Sequence, residues 1–194
     1  MPTSLLGPYT RTILVAAVLA VTLGFALSGA RSEVHGGLLP FFEWLETTWF
    51  GYVGKNWGAA FALIQSLHLL GLALLGGAVL AAEGRILGAV LTDVEQSVVT
   101  ARCDKVFNIA MAILVATGVF MACGVAVKIY YLPVYWYKML ALGAGALFHY
   151  LVRQPLLARG PEQVNPWLLK SMAVASIMVW FTVAATGRWI GFSG

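Results

Sequence analysis

Five apolar runs divide this chain. They cover Thr12 to Ala30, Trp57 to Ala82, Val106 to Val127, Tyr135 to Val152 and Pro166 to Ile190. A helix needs about 20 apolar residues to cross the hydrocarbon of a bilayer, so each run predicts a span. Between the first two lies LLPFFEWLETTWF, Leu38 to Phe50, where apolar residues recur at helical spacing around Glu43 and Glu46. Pro40 suits a first turn there, and the pattern predicts a short amphipathic helix in the membrane interface. The alternative for its two glutamates is that one turns inward to a site. The polar residues from Glu83 to Lys105 read as a connection, as does the segment with Pro155, Gly160 and Pro161. The expected fold is all-α and integral to the membrane. Five transmembrane helices are expected, four in a bundle core and one added at the N-terminus. Residues 1–37 then hold the N-terminal helix and an outer loop, and 38–194 the interfacial helix and the bundle.

Composition makes a bilayer the only solvent that fits. Of 194 residues, 60% are hydrophobic and 10% charged, more apolar surface than a soluble domain of this length can hide. The net charge of +4 comes from basic residues gathered at the ends of the apolar runs. There they act as topology signals and lipid-phosphate contacts, and no nucleic-acid motif accompanies them. With the N-terminus inside, Arg11, Arg85, Arg102, Lys105, Arg153, Arg159 and Lys170 fall on the inner side. Arg31, Lys55, Lys128, Lys138 and Arg188 fall outside. That bias predicts a cytoplasmic N-terminus. Ser28-Gly29-Ala30 resembles a signal-peptide cleavage site, but an uncleaved helix is expected; both readings put the next segment outside. Trp44, Trp49, Trp57, Tyr130, Tyr131, Tyr135, Trp136, Tyr137 and Trp189 all fall on that outer side, as a broad interfacial belt or a docking surface. Cys103 and Cys123 lie 20 residues apart along one helical path, roughly 30 Å by helical rise, and cannot pair in one chain.

The candidate chemistry rests on two histidines. His68 and His149 lie inside the second and fourth runs, where an ionisable group is costly and usually faces a site. His68 follows Lys55 by 13 residues and His149 follows Lys138 by 11, roughly 20 and 17 Å from the outer anchors. Equal depth would let both rings ligate one metal or haem iron. The inner anchors disagree: Arg85 lies 17 residues past His68, but Arg153 only four past His149. Ala141, Gly145 and His149 share one helical face, and Gln65, His68, Gly71 and Leu72 another. Small residues there leave room for a flat macrocycle, or simply for close helix packing. The competing reading of each histidine is a neutral ring hydrogen-bonded to a neighbouring helix. Haem b suits the pair better than zinc, which wants further Cys, His or carboxylate ligands. Lys138 and Arg188 are candidate partners for haem propionates, or plain interfacial anchors. The core methionines read as packing, and His35 as a solvated loop residue.

IQSLHLLGLALLGG (Ile64 to Gly77), YWYKMLALGAGALFHY (Tyr135 to Tyr150) and TGRWIGF (Thr186 to Phe192) resemble a family of small bacterial integral membrane proteins of unknown function. Its core is similar to the four-helix bundles of cytochrome-b561-like and copper-resistance-D-like proteins. The resemblance covers roughly Phe41 to Phe192. It implies a multi-pass protein of the bacterial inner membrane, with one haem b held by His68 and His149 as axial ligands. A cytochrome b561 usually has four such histidines, and this core has two. The expectation is a b-type-cytochrome-like electron-transfer subunit, exchanging electrons with quinone or an extracytoplasmic redox protein beside other membrane subunits. No nucleophile–base pair or nucleotide loop marks the chain as a catalyst alone. The rival expectation is a cofactor-free structural or assembly subunit whose aromatic outer rim docks a partner. Transport comes third, because no inverted repeat or broken-helix pair is evident.

Overall fold

The computed structural model describes residues 17, 20, 23, 24, 27, 30–160 and 163–193. Every regular element among them is helical: α1 Ala30–Thr47, α2 Trp49–Asn56, α3 Gly58–Leu87, α4 Gln96–Gly124, α5 Ala126–Tyr130, α6 Pro133–Leu147, a π-helical segment Phe148–Arg153, α7 Gln154–Leu157 and α8 Pro166–Ile190. Three of them, α3, α4 and α8, are long and apolar enough to cross a membrane, with 30, 29 and 25 residues. Their outward faces carry Leu63, Leu70, Leu74, Ile109, Val119, Met178 and Phe181 in the open. Such a surface would aggregate in water and suits lipid. The expected first span falls largely outside the described residues. So does the question of its cleavage.

The helices run further into the polar segments than their composition predicts. The connection expected from Glu83 to Lys105 shrinks to residues 88–95, because α3 continues to Leu87 and α4 begins at Gln96. The chain turns at Gly88, whose φ of 78° is left-handed and favours glycine. Charged residues enter the helices on two terms. Arg102 and Lys105 stay exposed, whereas Glu83 and Asp104 are ion-paired. Both cysteines therefore lie on α4, and both are free.

The packed core has three levels. In the middle, Leu75 and Val79 of α3, Phe107 and Ala110 of α4, and Trp180 and Val183 of α8 pack together. At the end that the charge bias assigns to the inner side, called the inner end from here on, Ile86 meets Val164, Leu169, Met172 and Ala173. At the outer end, Phe42 of α1 closes on Ala126, Ile129 and Tyr130 of α5. The expected interfacial helix is in fact two. α1 starts eight residues before Leu38, so Pro40 sits inside it and the Gly36 carbonyl loses its helical donor. The division expected after residue 37 falls within α1 for the same reason. Thr48 then breaks the path and caps α2, its hydroxyl accepting from the Gly51 amide at 3.2 Å. Gly54 of α2 and Gly124 of α4 bring two backbones together: a Cβ on Gly54 would lie 3.0 Å from the Gly124 Cα.

This outer cap is tied by polar contacts. Glu46 accepts from the Val127 amide in the first turn of α5 at 2.9 Å and from Lys55 at 2.8 Å. The Lys55 hydrogen bond is the larger cause that holds its carboxyl below the usual range; the Val127 amide adds to it and partial burial opposes it. His35 is not a solvated loop residue. It stacks on Tyr130 at 4.3 Å, and the Tyr130 hydroxyl donates to its carbonyl at 2.6 Å.

Candidate functional site

Two polar loci interrupt the apolar bundle. The inner one is built on Arg153. Pro155 has no amide hydrogen to offer the Leu151 carbonyl, so the α6 path widens into the π segment, where the Gln154 amide bonds back five residues to His149. The wider turn carries both His149 and Arg153 into the bundle, each 2% exposed. Arg153 Nε donates to Glu83 Oε1 at 2.5 Å, and Nη1 donates to Asp104 Oδ1 at 2.6 Å. Glu83 is fully buried, while the Asp104 side chain keeps 24% of its surface. The His149 ring lies flat on Phe107, centroids 3.8 Å apart at 13°. Its Nε2 lies 3.5 Å from the Gln154 side-chain nitrogen, long for a hydrogen bond. A crevice among Ala78, Val79, Ala82, Cys103 and these side chains has no room for a water molecule.

The outer locus centres on His68 of α3. Its Nδ1 lies 2.8 Å from the Thr117 hydroxyl of α4, and that hydroxyl donates to the Ile113 carbonyl at 2.6 Å. With the hydroxyl hydrogen committed, Nδ1 carries the proton and Nε2 keeps a lone pair. Gly118 leaves the ring space, since a Cβ there would lie 3.4 Å from the His68 Cε1. Lys138 of α6 reaches into the same region. Its Cε packs where a Gly187 side chain would be, 3.3 Å from that Cβ position. Among the described residues it has no carboxylate partner. Arg188, next in sequence to Gly187, is exposed and lies over the Phe192 ring at 4.6 Å.

Of the four residues expected at one site, His68 and Lys138 lie toward the same end of the bundle without a recorded contact between them, Arg188 stands at the rim there, and His149 packs at a different turn of α4. The two histidines meet α4 ten residues apart, one at Thr117 and the other at Phe107. At helical rise those two contact points lie about 15 Å apart along α4. One iron with two imidazoles needs about 4 Å between ligating nitrogens, given metal–imidazole bonds near 2 Å. These contacts set the two rings at different turns of α4 rather than at the equal depth expected. The outer anchors misled because they are not equivalent. Lys55 belongs to the separate helix α2, and Lys138 points into the bundle. The disagreement of the inner anchors was the true signal. Among the described residues no group of three or more His, Cys, Asp or Glu side chains is placed to hold a metal.

An all-helical bundle with three helices long and apolar enough to cross a membrane, and with charge buried at one end, is consistent with a helical membrane protein. Residues 41–193 match a family model described as a family of unknown function, DUF6644, and the chain belongs to that family. No curated protein and no solved structure matches it.

Proposed function

We propose that this chain is a structural or assembly subunit of a membrane complex, whose bundle completes its own core without a haem clamped by His68 and His149. The observation that carries this reading is the engagement of the two rings with different turns of α4, Thr117 for one and Phe107 for the other. The outer cap supports it: Phe41, Trp44, Trp49, Tyr52, Trp57 and Trp189 stand exposed around one end of the bundle. Aromatic rings of this kind anchor in the lipid interface and are favoured where a partner seats. In this reading the N-terminal run and the α6–α7 path also cross the membrane, giving five spans with the N-terminus cytoplasmic.

One observation favours a second reading, electron transfer through a haem b with a cytochrome-b561-like setting. His68 donates through Nδ1 and keeps the Nε2 lone pair, the arrangement that second-shell hydrogen bonds impose on metal-ligating histidines. Its haem would have His68 as sole protein ligand, with Lys138 placed for a propionate. An absorption spectrum of the purified chain after incubation with haemin, before and after dithionite, separates the two. The subunit reading expects no stoichiometric haem, and migration in a native gel as a larger complex that Trp44→Ser with Trp49→Ser releases. One haem per chain, lost in His68→Ala and kept in His149→Ala, overturns it in favour of the second. A low-spin spectrum that needs both histidines would refute the separation of the rings itself.

A further inference from the structure

We infer that the Glu83–Arg153–Asp104 cluster is a proton-binding site, holding one exchangeable proton on its paired carboxyls. Charge counting makes the first argument. Two carboxylates meet one guanidinium, so the ionised cluster carries one negative charge in excess in a water-poor interior, where two carboxylates on one site cannot both ionise freely. Among the described residues no other cation balances it. On α3, Arg85 turns away and donates to the Val94 carbonyl at 2.7 Å. On α4, the neighbours of Asp104 are Cys103 in the crevice wall and the exposed Arg102 and Lys105. On α8, Ser176 faces Glu83, and Lys170 is exposed. From the π segment come Arg153 itself, His149, whose ring nitrogen lies near the Gln154 side chain, and Tyr150, whose hydroxyl donates to Asn108 at 2.7 Å.

The second argument is independent of charge. Glu83 Oε2 and Ser176 Oγ are both buried without a hydrogen bond, and the two residues are 0% and 1% exposed. An orphaned buried polar atom is costly and asks for an explanation. A proton on Glu83 Oε2 lets the two groups share a hydrogen bond without burying the excess charge, whereas an ionised Oε2 paired with the Ser176 hydroxyl would keep that charge in the interior. The third argument is space. The crevice admits no water, so a hydrated cation cannot supply the missing charge, and a proton needs no room. The proton passes between this site and inner-side water by way of the partly exposed Asp104. The carboxylate gains it as a carboxyl and returns it as an ion, with no other bond changed.

Infrared difference spectroscopy of the whole chain in liposomes, cycled between acid and alkaline buffer, tests this. A carboxyl C=O band that shifts in D2O is expected in the wild type. It should vanish in Glu83→Gln or in Asp104→Asn, and Ser176→Ala, which keeps both carboxyls, should move its frequency. Reversible unfolding gives a second readout. If the folded cluster holds a proton that the unfolded chain releases, the folding constant falls as pH rises, by as much as tenfold per pH unit, and Glu83→Gln removes that slope. A wild type with no carboxyl band overturns the proposal. So does a band that is the same in all three variants, and this outcome does not depend on any one variant folding.

Discussion

Removing the guanidinium at the inner end is the most direct perturbation of this fold. Arg153→Met keeps a long flexible stem in the 2%-exposed site but deletes donors to Glu83 at 2.5 Å and Asp104 at 2.6 Å. A hydrogen bond from a charged group is worth about 1.5–3 kcal/mol net, so two suggest a loss of roughly 3–6 kcal/mol. Asp104 keeps a quarter-exposed side chain and regains water, so its share is discounted. Glu83 cannot, being fully buried. We therefore expect a loss of about 3–4 kcal/mol, within the range of about 3–5 for breaking a buried pair by removing one partner. Titration with SDS in mixed micelles, followed by circular dichroism, measures it. The double variant Arg153→Met with Glu83→Leu removes the orphaned carboxyl too and should recover most of the loss, because an apolar replacement of a buried pair is often neutral or better. A cost below about 1 kcal/mol for Arg153→Met, or simple additivity of the two changes, would refute the claim that these side chains act as one unit.

Three further outcomes are expected. Gly54→Ala places a methyl 3.0 Å from the Gly124 Cα and should cost about 1–3 kcal/mol as overpacking; an unchanged midpoint in the same titration would show that α2 is free to shift. Thr117→Val removes the acceptor for His68 Nδ1 and should cost about 1–2 kcal/mol, with His68→Leu largely cancelling that cost when added; a double-variant cycle reads it. Glu46 has its carboxyl held below the usual range, first by Lys55, so its contribution is complete above the unfolded value near 4.3, shrinks as pH falls through the lowered folded value, and is absent in Glu46→Gln. Protection of the Val127 amide, measured against its intrinsic exchange rate at each pH, should fall in that acid window in the wild type and show no such dependence in the variant; the same pH dependence in both would remove the Glu46 carboxylate from the cap.

Hydrophobic pattern alone reveals the last helix to the residue, Pro166–Ile190, because its ends carry local signals. Asn165 caps it by accepting from the Trp167 amide at 2.9 Å, with Pro166 in the first turn. The neighbouring ends lack such signals. α3 and α4 overrun their apolar stretches because Glu83, Asp104 and Arg85 find partners that no local rule foresees, lying 70, 49 and 9 residues away. Hydropathy scores those residues as loop. Tertiary pairing makes them helix. The same blindness affects His35, whose partner Tyr130 is 95 residues on.

The inner site was legible in one place that composition obscures. Arg153 follows His149 by four residues and precedes Pro155 by two. A proline there, inside a path that must continue, forces the backbone to drop a hydrogen bond, and a π turn absorbs that loss. The turn rotates both polar side chains to the buried side, where a regular helix ending at Val152 would have left Arg153 at the surface. Arg153 counted as an inner topology signal for the same reason that Lys138 counted as an outer one: charge near the end of an apolar run. Both in fact point into the bundle. One meets two carboxylates, and the other packs against Gly187 and has no carboxylate partner among the described residues. That asymmetry separates the two loci chemically. The inner end has anions to hold a proton. The outer end has in Lys138 a cation with no carboxylate partner among the described residues.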